Sequence, residues 1–107
     1  MYSNLNDLSY LNSLSGGDKS FENKILEVIR EEFPGELNEY TENVKNQKLK
    51  LAAENVHKLK HKISILGLKK TYALAVKHED LLKASNTSLV EDFGAALDIL
   101  TDYINKI

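Results

Sequence analysis

Apolar residues recur at spacings of three and four along nearly the whole chain, which is the period of amphipathic helices. This pattern predicts helices over residues 4–14, 18–46, 48–66, 69–84 and 88–107, and no useful length of chain alternates as a β-strand would. The third segment is very regular, because its apolar positions follow at spacings of 3, 4, 3, 4 and 3: Leu49, Ala52, Val56, Leu59, Ile63 and Leu66. The sequence therefore predicts an all-α protein.

Turn-forming residues separate the predicted helices. Ser15-Gly16-Gly17 ends the first helix, Asp18 is suited to cap the second, and Gly67 ends the third. Pro34 lies within the second helix and predicts a kink or a break, and the apolar stripe that continues in phase across it favours a kink. Short connections make successive helices antiparallel neighbours, so we expect an antiparallel up-down four-helix bundle with a short additional N-terminal helix. Residues 1–107 are expected to form this single domain.

Composition limits the possible functions further. The chain of 107 residues contains no cysteine, which excludes a disulfide framework, thiolate metal ligands and a cysteine nucleophile, and fits a reducing cytoplasm. No apolar run approaches the roughly 20 residues of a membrane span, and the first residues lack the features of a secretory signal. We therefore expect a cytoplasmic protein without a membrane partner. A monomer is expected, because every apolar stripe can be closed within one bundle.

Charge is distributed unevenly along the chain. Residues 45–70 contain eight lysines and one acidic residue, Glu54, although the whole chain has a net charge of −2. A basic segment in an otherwise acidic protein indicates either an anionic partner or a solvated helix face. Nucleic acid would be one such partner, but Arg30 is the sole arginine of the sequence, and arginine dominates base recognition. The sequence thus predicts no nucleic-acid partner.

The third predicted helix carries a candidate reactive histidine. On a helical wheel His57 lies at the edge of the apolar stripe, and Lys60, His61 and Ser64 follow along the same exposed flank. A neutral imidazole is available as a nucleophile at cellular pH, because its ordinary pKa is near 6.5. A lysine one turn away can balance the charge of a phosphoryl group. This arrangement allows phosphoryl transfer to His57, with Lys60 as phosphate charge partner and His61 and Ser64 in supporting positions.

These residues resemble the signature of the histidine-containing phosphotransfer (HPt) family of multistep two-component phosphorelays. The signature reads His-x-Leu-Lys-Gly-Ser, with a glycine ten residues after the histidine. The positions of this chain that match it are His57, Leu59, Lys60 and Gly67. The wider likeness covers about residues 5–107 and includes an N-terminal turn, a proline region and a glutamate on the following helix: Ser15-Gly16-Gly17-Asp18, Phe33-Pro34 and Glu79.

The resemblance implies a phosphocarrier rather than a kinase. In this family the histidine accepts a phosphoryl group from an aspartate of one receiver domain and passes it to an aspartate of another. His57 would then be the phospho-acceptor, Lys60 would assist, and Gly67 would have a supporting or docking role. The receiver would supply the Mg²⁺, so no cofactor is expected on this chain. The implied partners are receiver domains of response regulators or hybrid sensor kinases.

Two positions depart from the family pattern. Position 61 is His where the family usually has Gly, and position 62 is Lys where Ser is common. His61 fills the space through which a receiver approaches, so it narrows the choice of receivers, places a second imidazole near the phosphate, or marks a domain that has lost transfer. The alternative function is therefore a receiver-binding or adaptor bundle without chemistry. His57 and His61 also have metal-ligand spacing, but the chain lacks the His-Glu-x-x-His pattern and no native metal site is predicted.

Other basic residues are expected to have general rather than specific roles. His78 falls on the apolar stripe of the fourth helix, so we expect it to pack at the edge of the core beside three leucines: Leu74, Leu81 and Leu82. Four lysines are expected to act through general electrostatics, raising the rate of association with an acidic receiver pocket: Lys58, Lys62, Lys69 and Lys70.

Overall fold

The computed structural model describes residues 16–106. This part of the chain forms four helices and contains no strand: α1 (Lys19–Lys45), α2 (Leu49–Ile65), α3 (Lys69–Lys83) and α4 (Val90–Lys106). The prediction of an all-α fold is confirmed, and these helix ends lie within two residues of their predicted positions. The predicted helix over residues 4–14 lies outside the described residues. None of the four described helices combines the length and the apolar character that a membrane crossing requires.

Side-chain contacts show that α1 and α2 run antiparallel. Glu36 of α1 contacts Lys62 of α2, whereas Asn43, further along α1, bonds to Asn55, which comes earlier in α2. Three-residue turns join α1 to α2 and α2 to α3, so that the chain reverses direction twice. At the start of α4, Phe93 packs against side chains of both α1 and α3. The predicted up-down arrangement of four helices is confirmed for the described residues.

The start and the course of α1 follow from local signals. The Asp18 side chain accepts hydrogen bonds from the backbone N–H groups of Ser20 and Phe21 at 3.0 and 3.2 Å, which confirms it as the cap. The helix then continues through Pro34 without interruption, so the predicted alternative of a break at this residue is wrong. Apolar positions on both sides of the proline pack into one core, and this burial offsets the loss of one backbone hydrogen bond.

Three of the helices end in the same left-handed turn. The residue after each helix cap has a positive φ of 60 to 73°: Gln47, Gly67 and Ser85. In each case the next backbone N–H bonds back to a carbonyl five residues earlier, the arrangement of a Schellman motif: Lys48 to Asn43, Leu68 to Ile63 and Asn86 to Leu81. Glycine adopts this conformation without steric cost, so the stop predicted at Gly67 is confirmed. The other two turns carry no glycine and place Gln47 and Ser85 in this conformation.

The core lies between the four helices and follows the predicted stripes in α2. The four inward positions predicted around the candidate histidine are fully buried: Val56, Leu59, Ile63 and Leu66. Full burial of such a side chain stabilises the fold by about 1.5–3 kcal/mol relative to an exposed position. The stretch that carries His57 is therefore anchored by the packing of its opposite face.

The buried face of α3 differs from the predicted one. Leu74 and Leu81 are only partly buried, while Ala75, His78 and Leu82 have no exposed surface. The prediction that His78 lies at the edge of the core is therefore wrong, because this residue is inside it. Of the three leucines predicted to point inward, Leu82 is confirmed, and small and polar residues supply most of the remaining buried face of α3.

Candidate functional site

His57 lies on α2 at the edge of the buried stripe. Its neighbour Val56 is fully buried, whereas the side chain of His57 is 54% exposed. Because α3 packs beside α2, one edge of the imidazole contacts α3 while much of the ring remains accessible. The histidine is thus presented to solvent from a helix whose position is fixed by the core.

A nearly buried carboxylate anchors this histidine. Glu79 of α3 is 5% exposed, and its Oε2 lies 3.2 Å from Nδ1 of His57. Lys60 and Lys83 contact the same carboxylate, with Nζ–O distances of 2.8 and 3.3 Å. Burial raises the pKa of the Glu79 carboxyl, but the hydrogen bonds and charges of Lys60, Lys83 and His57 outweigh it, so the pKa lies below its usual value. Glu79 is therefore ionised at neutral pH.

The ionised carboxylate fixes the tautomer of His57. A carboxylate can only accept hydrogen bonds, so the proton of the neutral imidazole lies on Nδ1, which donates to Oε2 of Glu79. The free lone pair is then on Nε2. Nε2 therefore carries the lone pair through which this imidazole can bind an electrophile or accept a hydrogen bond.

A second imidazole lies against that nitrogen. His61, one turn further along α2, places its Nε2 3.4 Å from Nε2 of His57, and the two ring centroids are 5.0 Å apart. Because Nε2 of His57 holds a lone pair, a hydrogen bond between them requires the proton on Nε2 of His61. At 3.4 Å this bond is long and weak, so an approaching group can displace it.

Lys60 is directed towards Glu79 in this structure. Its side chain is 17% exposed and its amino group contacts Oε1 of Glu79 at 2.8 Å. This hydrogen bond raises the pKa of Lys60 against the opposing effect of burial. Lys60 therefore supplies a positive charge beside the histidine, and its role as a phosphate charge partner stays a prediction.

Lys62 has a structural role that the sequence did not indicate. Its side chain is 12% exposed, and Nζ lies 2.9 Å from Glu32 and 2.8 Å from Glu36, both on α1. Burial lowers the pKa of Lys62, but the two glutamates outweigh burial and raise it. The expectation that Lys62 acts through general electrostatics is wrong, because its charge is paired and it ties α2 to α1.

The other two predicted supporting residues lie further along α2 and in the turn that follows. Ser64 is partly buried, one turn beyond Lys60. Gly67 is buried in the left-handed turn after the helix, and this conformation by itself accounts for a glycine there. Roles of Ser64 and Gly67 in docking stay predictions.

His78, which precedes Glu79 in α3, is bonded to a residue of α1. Its Nε2 and the hydroxyl of Tyr40 are hydrogen-bonded at 2.7 Å, and its ring packs against Phe93 with centroids 5.0 Å apart. Burial lowers the pKa of His78, and it raises that of Tyr40 to about 12, so both groups are neutral at neutral pH. This buried contact helps to set the position of α3 and hence of Glu79.

A charged cleft of about 470 Å³ opens beside His57, between α2 and α3. Besides His57 and Ala53 it is lined by three lysines and two glutamates: Lys50, Lys58, Lys83, Glu54 and Glu79. Lysines thus outnumber glutamates in this cleft, which favours anionic over cationic partners.

Sequence reasoning did not assign a role to Glu79 or Lys83. Glu79 entered only as a match to a family pattern, and Lys83 was not singled out at all. Their i,i+4 spacing is a signal for an ion pair on α3. Nothing along the sequence indicated that this pair faces His57, because the contact joins residues 22 positions apart.

Metal ligands are sparse in the part of the chain that the structure describes. Within residues 16–106 no three or more His, Asp or Glu side chains are grouped so that they could hold a metal ion. The described site consists of the two exposed imidazoles of His57 and His61, the carboxylate of Glu79 that contacts His57, and the two lysines that contact this carboxylate.

Comparison with known proteins identifies the family. The family model of the Hpt domain matches residues 24–107, which include α2 and α3 entirely. No curated protein sequence and no solved structure gives a match.

Proposed function

The chain belongs to the Hpt domain family, and on that premise we propose that it is a phosphocarrier whose His57 accepts a phosphoryl group from a receiver-domain aspartate and passes it to another receiver. Phosphotransfer within phosphorelays and interaction with receiver domains are general properties of this family. The observation that carries the assignment to His57 is its contact with Glu79, which leaves Nε2 of an exposed imidazole as the nucleophile.

The transfer step needs no proton movement within this chain. The lone pair of Nε2 attacks the phosphorus of the aspartyl phosphate in line with the bond to the aspartate oxygen. The N–P bond forms while the P–O bond breaks, and the receiver carboxylate leaves with the bonding electrons. Onward transfer is the reverse: a carboxylate oxygen of the second receiver attacks phosphorus, and Nε2 leaves with the electrons of the N–P bond.

Glu79 acts in this scheme as a positioning residue. An imidazole that carries phosphorus on Nε2 and a proton on Nδ1 has a positive charge. The ionised carboxylate 3.2 Å from Nδ1 compensates that charge and keeps the ring in the attacking orientation. Glu79 thereby favours the phosphorylated state without touching the phosphoryl group.

Lys60 is proposed as the charge partner of the phosphoryl group. Its ammonium lies one helical turn from His57 and contacts the carboxylate of Glu79 at 2.8 Å. An arriving phosphoryl group offers it a second anion. The Mg²⁺ and the remaining charge stabilisation are assigned to the receiver, so this chain needs no cofactor of its own, and we propose that it works as a monomer in the cytoplasm.

The test is phosphotransfer from a panel of phosphorylated receiver domains in the presence of Mg²⁺. Intact mass measures the gain of phosphate, and acid treatment distinguishes phosphohistidine from stable phosphoesters. His57→Gln and His61→Gln are assayed beside the wild type. We expect the wild type to gain one acid-labile phosphate, His61→Gln to keep it, and His57→Gln to lose it.

The other outcomes separate the alternatives. Transfer that survives in His57→Gln and is lost in His61→Gln would mean that His61 is the acceptor. Binding to receivers without transfer to any of them would favour the adaptor function. Neither binding nor transfer across a panel that covers the receivers of the source genome would refute the phosphocarrier proposal.

A further inference from the structure

His57 and His61 are arranged as a pair of facing ligands. Both side chains are exposed, they lie one turn apart on α2, and their Nε2 atoms are 3.4 Å apart. Two Zn–N bonds of about 2.0–2.1 Å at a tetrahedral angle span about 3.3–3.4 Å between the nitrogens. The observed separation therefore already equals the distance at which one ion could bind both nitrogens.

The protein also supplies the outer partner that metal-bound histidines usually have. Nδ1 of His57 donates to the Glu79 carboxylate at 3.2 Å, which leaves Nε2 with the lone pair that a metal needs. A metal also needs the lone pair of Nε2 of His61, which carries a proton when it is hydrogen-bonded to His57. Metal binding therefore moves this proton to Nδ1 of the exposed His61 ring or releases it.

From this geometry we infer that Nε2 of His57 and Nε2 of His61 together chelate a late first-row divalent cation, such as Zn²⁺, Cu²⁺ or Ni²⁺, and that the bound ion occupies the nucleophilic nitrogen. Imidazole ligands suit these ions, whereas Mg²⁺ prefers oxygen and keeps its water shell. The Mg²⁺ that a receiver needs therefore does not compete for this site. The described protein offers two ligands, so water fills the other positions and binding is weaker than at a structural site with four.

The consequence for phosphotransfer rests on the proposed function. A lone pair that is bound to a metal cannot attack phosphorus, so Zn²⁺ and the phosphoryl group exclude each other at Nε2 of His57. His61, which stands where glycine is usual, would thus make the carrier sensitive to zinc. A domain with glycine at that position has no second imidazole and no chelate.

Calorimetric titration with Zn²⁺ in a buffer containing Mg²⁺ tests the chelate without any receiver. We expect one Zn²⁺ per chain in the wild type and loss of that binding in His57→Gln and in His61→Gln. A double variant, His61→Gln with Lys58→His, keeps the number of histidines but puts the second imidazole at i+1, where the rings cannot converge. Although this double variant also lacks the positive charge of Lys58, we expect it not to bind Zn²⁺. Glu79→Gln should weaken binding by about tenfold or more, because it removes the outer-sphere charge.

A second measurement asks whether the metal covers the reactive nitrogen. Diethyl pyrocarbonate acylates accessible imidazole nitrogens, and peptide mass spectrometry locates the modified residue. Zn²⁺ should protect His57 and His61 together, and a chelator should remove the protection. Equal Zn²⁺ affinity in the wild type and in His61→Gln, binding by the i+1 double variant, or no protection at saturating Zn²⁺ would each overturn the inference.

Failure of this inference is distinguishable from failure of the proposed function. Absent zinc binding would refute the chelate while phosphotransfer in zinc-free buffer with Mg²⁺ still proceeds. A chain that binds Zn²⁺ but accepts phosphate from no receiver would keep the chelate and refute the carrier. Where both hold, Zn²⁺ should abolish transfer to the wild type and leave transfer to His61→Gln unchanged.

Discussion

The contact between Glu79 and His57 gives a sharp test of how this site works. Glu79→Gln keeps nearly the same shape and leaves a carboxamide oxygen that can still accept a hydrogen bond from Nδ1 of His57. It removes the negative charge that fixes the tautomer and that compensates the charge of the phosphorylated ring. The variant therefore separates the electrostatic contribution of Glu79 from its packing.

The size of the effect follows from the exposure of the site. A hydrogen bond to a charged group contributes about 1.5–3 kcal/mol. The His57 side chain is 54% exposed, so water screens the contact and the lower end of that range applies. About 1.5 kcal/mol corresponds to roughly a tenfold change in rate. We expect Glu79→Gln to slow phosphoryl transfer to His57 about tenfold.

Single-turnover transfer from a phosphorylated receiver, followed by intact mass, measures this rate. The ¹⁵N chemical shifts of the imidazole report the tautomer, which a merely structural role of Glu79 would not move. The wild type should show the proton of His57 on Nδ1, and the variant should show a mixture of both tautomers. Glu27→Gln makes the same chemical change at an exposed position of α1 and should leave the rate and the shifts unchanged.

The transfer rate and the tautomer of His57 are interpreted together. A rate within twofold of the wild type would refute the electrostatic role, whatever the tautomer. A tenfold loss with the tautomer of His57 unchanged would show that Glu79 acts by compensating the charge of the phosphorylated ring and not by fixing the tautomer. Circular dichroism confirms that the variant is folded before either result is interpreted.

Three further predictions concern stability, each followed by urea unfolding. Tyr40→Phe should lower the free energy of unfolding by about 1–3 kcal/mol because it leaves Nε2 of buried His78 without its 2.7 Å partner, whereas the exposed Tyr72→Phe should change it by less than about 0.5 kcal/mol. Leu59→Ala, at a fully buried site, should cost about 2–5 kcal/mol, and Leu51→Ala, 47% exposed on the same helix, much less; equal losses would contradict the described core. Stability should fall as the pH drops below about 6.5, because burial lowers the pKa of folded His78 and the unfolded chain then binds a proton that the folded chain does not. A urea midpoint that stays constant from about pH 7.5 to about pH 5 would contradict this role of His78.

The helices could be predicted from the sequence because helical order is local. Spacings of three and four residues mark α2 and α4 almost to the residue, and Asp18 and Gly67 carry the signals for a helix start and a helix end. The same reasoning failed where a helix face is not apolar. The leucines of α3 suggested an inward face at Leu74, Leu81 and Leu82, whereas its buried side is formed largely by small and polar residues such as Ala75 and His78.

Helical periodicity was also sufficient to predict which residues share a flank of α2. His57, Lys60 and His61 lie on the same side of the helix because one turn contains 3.6 residues. The family resemblance then predicted phosphoryl transfer at this flank. The groups that these side chains contact on other helices could not be predicted in this way. Glu79 reaches His57 from 22 residues away, and Glu32 and Glu36 reach Lys62 from another helix. Such pairings depend on the rotation and separation of packed helices, which the whole core sets and which no local pattern records.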